Sequence, residues 1–166
     1  MSSADIFGQT QSVTDLLYGF GTDFLAFIVL TIIIAGFAFY FGRDRLMPLI
    51  AGIYTAIPLY MNFPFMSHLN GNAYFEIGLY IVFVILGLVA FSGLSYFIGG
   101  ESLGFLKLLI LSVVTAGLLL AVSIHILPVE KIYTISAATK VLFTSAQSYF
   151  WWLLAPLVGV FFFSRG

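Results

Sequence analysis

Side chains able to do acid–base, metal or nucleophilic chemistry are scarce in this chain. Among 166 residues there are six Lys/Arg, seven Asp/Glu, two His and no Cys. Thiolate ligands, Fe–S clusters, disulfides and cysteine nucleophiles are therefore excluded. His68 falls in a polar turn, His68-Leu69-Asn70-Gly71-Asn72, and His125 stands shortly before Pro128. Neither has an acid at ligand spacing, so no metal site is expected. There is no G-x-S-x-G, H-E-x-x-H, P-loop or dinucleotide fingerprint, and Ser92 has no neighbouring base to activate it. Neither a cofactor nor an enzymatic role is expected. His125 is the candidate for ligand or proton handling, because an ionisable group within a membrane is functional by default. The plainer alternative is a cation capping a helix C-terminus.

The densest charge cluster is Arg43-Asp44-Arg45. With Lys107 it is the candidate headgroup or partner contact; the alternative is a topology anchor whose exposed ion pair is worth no more than about 1 kcal/mol. Glu76 and Glu101 each precede an apolar run, where a carboxylate complements a helix N-terminus. Nucleic acid is not an expected partner, since six Lys/Arg against seven Asp/Glu leave no basic patch to neutralise phosphates.

The elements that must position these groups follow from composition. The chain is 61% apolar, 18% aromatic and 8% charged, against about 45–50% apolar and about 25% charged for a soluble domain. A globule of this size has too little interior for so much apolar surface, and a disordered chain needs the opposite composition. The expected fold is an all-α polytopic membrane bundle, one domain over residues 1–166, with the lipid bilayer as its first partner. Residues 24–41 form an uncharged run that spans roughly 27 Å as a helix, close to hydrocarbon thickness. Further spans are expected over 46–65, 77–99 and 103–127. Pro58 should open the second of these near Tyr54, so that this stretch must face protein rather than acyl chains. Residues 149–163 are short for a span and read as a short fifth one, with a re-entrant segment or interfacial anchor as alternatives. Interfacial amphipathic helices are expected over about 4–22 and 130–147. The first 23 residues carry no Lys or Arg, unlike a secretory signal, so the first apolar run reads as a permanent span. Counting Lys and Arg in the turns puts the N-terminus outside and the turns at 42–45 and 99–107 in the cytoplasm.

Small residues at helical spacing mark where helices approach closely. Gly52-xxx-Ala56 marks the second span, and Ser112-xxx-Ala116 with Gly117-xxx-Ala121 the fourth. The fourth-span stripe is the longest and is the expected seam for a homo-oligomer or another membrane protein. Aromatics gather at span ends as an interfacial belt. No carboxylate stands at a span centre, which argues against charge-coupled transport.

A first span ending in Gly42-Arg43-Asp44-Arg45, a long third span, and a Gly99-Gly100-Glu101 turn leading straight into a fourth resemble the layout of the colicin V production protein family. The resemblance covers about residues 24–128 and carries over no individual residue. The proline-rich second span and aromatic C-terminal segment depart from it. It implies a non-enzymatic protein of the prokaryotic inner membrane, engaged in export or envelope upkeep. The expected function is a non-catalytic membrane subunit or scaffold that packs with itself or with a larger envelope or secretion assembly. The alternative is a small oligomeric channel or transporter, for which Thr31, Thr55, Ser92, Ser95, Ser112, Thr115 and Ser123 are the available lining.

Overall fold

In the computed structural model the described residues are 21, 24–66, 72–93, 104–132, 139, 143 and 145–163. Among them the chain is all-helical, with five helices and no strand. The expected helix over about 4–22 lies essentially outside the described residues, as do Ser95 and Glu101.

Helix α1 (Phe24–Phe41) ends where its uncharged run ends, at Gly42 with φ +105°. Only glycine adopts that left-handed conformation without strain. A 3-10 turn over Arg43–Arg45 follows, closed by the Arg45 N–H donating to the Gly42 carbonyl at 3.0 Å.

Helix α2 (Leu46–Met61) carries Pro48 in its first turn and Pro58 inside. It buries Leu46, Ile50, Ile53, Ala56 and Tyr60, a stripe at helical spacing. The apolar run suggested a helix to residue 65, but α2 stops at Met61. The Asn62 side-chain amide and backbone N–H both donate to the Pro58 carbonyl, at 2.9 and 3.1 Å. Pro64 further disfavours helical geometry at the residue before it.

Helix α3 (Ala73–Ser92) begins four residues earlier than the charge at Glu76 suggested. The Asn72 side-chain oxygen accepts the Tyr74 N–H at 3.1 Å, an N-cap that starts the helix. Glu76 therefore sits within the first turns. Helix α4 (Phe105–His125) is trimmed to Gly104 and Ile126 by its caps. Val129–Lys131 is a 3-10 turn rather than part of a continuous surface helix. Within the segment expected to lie on the membrane surface, Thr139 and Phe143 are buried, with Phe143 stacked on Trp152 at 5.1 Å between ring centres. Helix α5 (Ala146–Phe163) starts earlier than the apolar run, because the Ser145 hydroxyl accepts the Ser148 N–H at 3.0 Å.

The helices associate as two antiparallel pairs. In one, α2 and α3 cross with Gly52 against Gly87, and Tyr60 meets Glu76 and Tyr80 further along. In the other, α4 meets α5 along its length: His125 against Tyr149, Gly117 against Trp152, Leu111 against Gly159. Half of α4 is buried, which makes it the central helix, whereas only about a tenth of α1 or α3 is covered. Two buried clusters stack along the bundle. One joins Ile34 and Ala38 of α1 to Leu46, Ile50, Leu108 and Leu111; the other joins Ile53, Ala56, Tyr60 and Tyr80 to Leu118 and Val122. Outward, Ile32, Ile33, Ile85, Leu86, Val89 and Leu106 are exposed. Helices α1, α3 and α4 are each long and apolar enough to cross a membrane.

Candidate functional site: the seam between the helix pairs

Four tyrosines gather where the two pairs meet, and each hydroxyl position follows from its helix register. Tyr80 of α3 donates to the Ile53 carbonyl of α2 at 3.2 Å. Tyr54, one residue further along α2, donates to the Leu153 carbonyl of α5. Tyr60, one turn or so on from Tyr54 and Ile57, donates to a Glu76 carboxylate oxygen at 3.2 Å, and its ring meets Tyr80 edge-on at 6.0 Å. Tyr149 of α5 stands close enough to the hydroxyls of Tyr54 and Tyr80 to interact electrostatically with both. Its ring stacks on His125, with ring centres 4.2 Å apart and planes 11° from parallel. The seam thus runs from Glu76 through the tyrosines to His125.

Chemically, this arrangement holds and orients more than it reacts. Tyr54 and Tyr80 spend their donors on backbone carbonyls, which fixes the register of α3 on α2 and of α2 on α5. His125 is exposed at the end of α4 with its ring face covered by Tyr149. It stands in the last turn of that helix. Among the described residues, no three His, Cys, Asp or Glu come together as a metal site. Every buried side-chain nitrogen and oxygen there has a hydrogen-bond partner.

The stripe expected to serve as a partner seam is used inside the chain. Ser112, Ala116 and Ala121 have no exposed surface, and Gly117 is buried. The Trp152 ring fills the notch above Gly117, so that a Cβ there would overlap the ring. Gly52 and Ala56 are likewise buried against α3 and the second cluster.

The charged groups among the described residues divide between the two ends. The Phe39–Phe105 ring contact, with centres 5.9 Å apart, brings the Arg43–Arg45 turn to the same end as the start of α4. Exposed Asp44 and Arg45 and half-buried Lys107 therefore share that end. Glu76, His125, Glu130 and Lys131 occupy the other, where the Val129–Lys131 turn packs on α3 and α4.

Of the hydroxyls available to line a pore, five turn back onto their own helix. Thr31, Ser112 and Thr115 donate to the carbonyl four residues earlier, at 2.9, 2.9 and 2.6 Å. Thr55 reaches Ala51 and Gly52, and Ser92 reaches Val89. Such back-bonding satisfies a hydroxyl without water.

The tyrosine seam had no marker in residue spacing, since its partners lie up to 99 residues apart. One signal was present: Tyr54 stands in the middle of an apolar run, away from the ends where an interfacial belt places tyrosine. No family model, curated protein or solved structure matches the chain.

Proposed function

We propose that the chain is a multi-pass integral membrane protein of five spans, acting as a non-catalytic subunit or scaffold within a larger membrane assembly. Helix α2, at about 24 Å by helical rise, is the shortest, and α5, at about 27 Å, matches α1; successive helices alternate in direction. The observation that carries the scaffold reading is the sealed interior. Its hydroxyls are satisfied by backbone within the chain, while the outward surface is apolar. A channel would turn the same Ser and Thr groups toward a water path, and this favours packing over conduction. The resemblance of the sequence layout to colicin V production proteins, if it extends to function, would imply an envelope role in a prokaryotic inner membrane.

The basic Arg43–Arg45 turn and Lys107 would then face the cytoplasm, with the N-terminus outside. Partner contacts fall to the barely covered faces of α1 and α3 and to the short turns, since the small-residue stripe of α4 is occupied by α5. The test is purification in a mild detergent followed by sizing and identification of co-purifying membrane proteins. A stable complex with itself or another chain supports the reading. A lone monomer that conducts ions in liposomes overturns it.

A further inference from the structure

We propose that Tyr54 is a latch on a proline hinge in α5. Pro156 lies inside α5 and is fully buried. It removes one backbone N–H, and its ring presses against the carbonyl of Trp152, four residues earlier, which bends a helix and loosens the bonds of the adjoining turn. Away from water, carbonyls in such a turn need donors from neighbouring helices. The Leu153 carbonyl lies in that turn, and the Tyr54 hydroxyl of α2 donates to it. The N–H that proline takes out would have served the Trp152 carbonyl; Tyr54 supports, from another helix, the neighbouring Leu153 carbonyl of the same turn, whose own helical donor is the Leu157 N–H.

Location gives the bond its mechanical meaning. Within each pair, contacts run the length of the helices, whereas α2 and α4 share only a thin contact across the seam. On either side of the hinge α5 rests on α4, through Trp152 over Gly117 and Gly159 against Leu111. Tyr54 ties that hinge to the opposite pair. Tyr80, donating to Ile53 beside it, holds the same stretch of α2 on α3. Opening the seam breaks the Tyr54 bond and leaves the course of α5 at Pro156 to be set by its contacts with α4 alone. Anything that separates the two pairs therefore changes the course of α5. This inference goes beyond the scaffold reading and holds whatever the partner is.

The test is a double-mutant cycle on the full chain in mixed micelles, following unfolding by added dodecyl sulfate. Tyr54→Phe should raise the unfolding equilibrium constant about threefold to eighteenfold, the range for hydrogen bonds between membrane helices. In a Pro156→Ala background the ring no longer presses on that turn, the Leu157 N–H can close on the Leu153 carbonyl, and the same substitution should cost less than about twofold. Tyr80→Phe, which removes a tyrosine–carbonyl bond away from Pro156, should cost the same in both backgrounds. If Pro156→Ala does not fold, a carbon-13, oxygen-18 label on the Leu153 carbonyl reports directly: its infrared band should move to higher frequency in Tyr54→Phe. An equal Tyr54→Phe effect in both backgrounds, or an unmoved Leu153 band, overturns the latch.

Discussion

Replacing Gly52 with alanine adds a methyl group where the backbone of α3 already stands. The new Cβ would lie 2.7 Å from the Val84 carbonyl oxygen, 2.8 Å from the Leu88 nitrogen and 3.3 Å from the Gly87 carbonyl carbon. Comfortable contact between carbon atoms begins near 3.5 Å, so α2 and α3 must part by something under an ångström. None of the three atoms belongs to a flexible side chain, and the strain cannot be relieved by a rotamer change. A gap of about 0.5–1 Å forfeits roughly a quarter to a half of the dispersion energy of the atoms that line it. Overpacking of this kind costs about 1–3 kcal/mol. Alanine also gains about 0.5–1 kcal/mol over glycine inside a helix, and a control must separate the two effects. Gly78 supplies it: also in α3, it has nothing within 4 Å of an added Cβ. Gly78→Ala should therefore stabilise slightly, and Gly52→Ala should be less stable than it by about 1–3 kcal/mol. Gly87→Ala, whose Cβ would sit 2.6 Å from the Gly52 Cα, should behave like Gly52→Ala. The double variant should cost less than the two single losses added together, because helices already parted accept the second methyl. Reversible unfolding in mixed micelles, followed by far-ultraviolet circular dichroism, gives each value. Equal stability of Gly52→Ala and Gly78→Ala would refute the close crossing of α2 and α3.

Three further outcomes follow from the same coordinates. Trp152→Ala empties the notch over Gly117 and removes the ring on which Phe143 stacks; it should cost about 3–5 kcal/mol, read in the same unfolding assay, with Trp152→Phe losing less. Asn72→Ala deletes the oxygen that accepts the Tyr74 N–H and should cost about 1 kcal/mol, as other lost N-caps do. For topology, the absence of native cysteine makes single-site labelling clean: Asp44→Cys should be shielded from an impermeant maleimide in intact cells while Glu130→Cys reacts, and the reverse pattern would invert the orientation.

The helices were legible in the sequence because lipid-compatible runs are interrupted only where the chain turns. Their ends were less so, and the displacement has a consistent cause. Glu76 looked like a boundary because it carries charge, yet the first turns of a helix accept a carboxylate, and α3 starts at the Asn72 cap instead. Ser145 moved the start of α5 ahead of its apolar run in the same way, while Asn62 and Pro64 ended α2 inside an uncharged stretch. Capping is local hydrogen-bond chemistry that hydropathy does not register.

The site illustrates a different limit. Spacing identified Gly52, Ala56 and the Ser112–Ala121 stripe as places of close approach, and in each case the residues are buried. What spacing does not encode is the partner: a groove of small residues accepts a second chain or a bulky side chain of its own. Here half-buried Trp152 enters above Gly117, so a ring that an aromatic belt would assign to the membrane interface packs one helix on another. Tyr54 makes the same point with a polar group. Its neighbour Pro58 suggested that this turn must face protein, and the buried Gly52, Ile53 and Ala56 lie on that face. The carbonyl that Tyr54 reaches, however, belongs to the turn before a different proline, Pro156. A buried proline inside a helix creates a demand for a donor, and a tyrosine inside an apolar run offers one. Each half of that match is visible in the sequence; only the packing of the two helix pairs joins them.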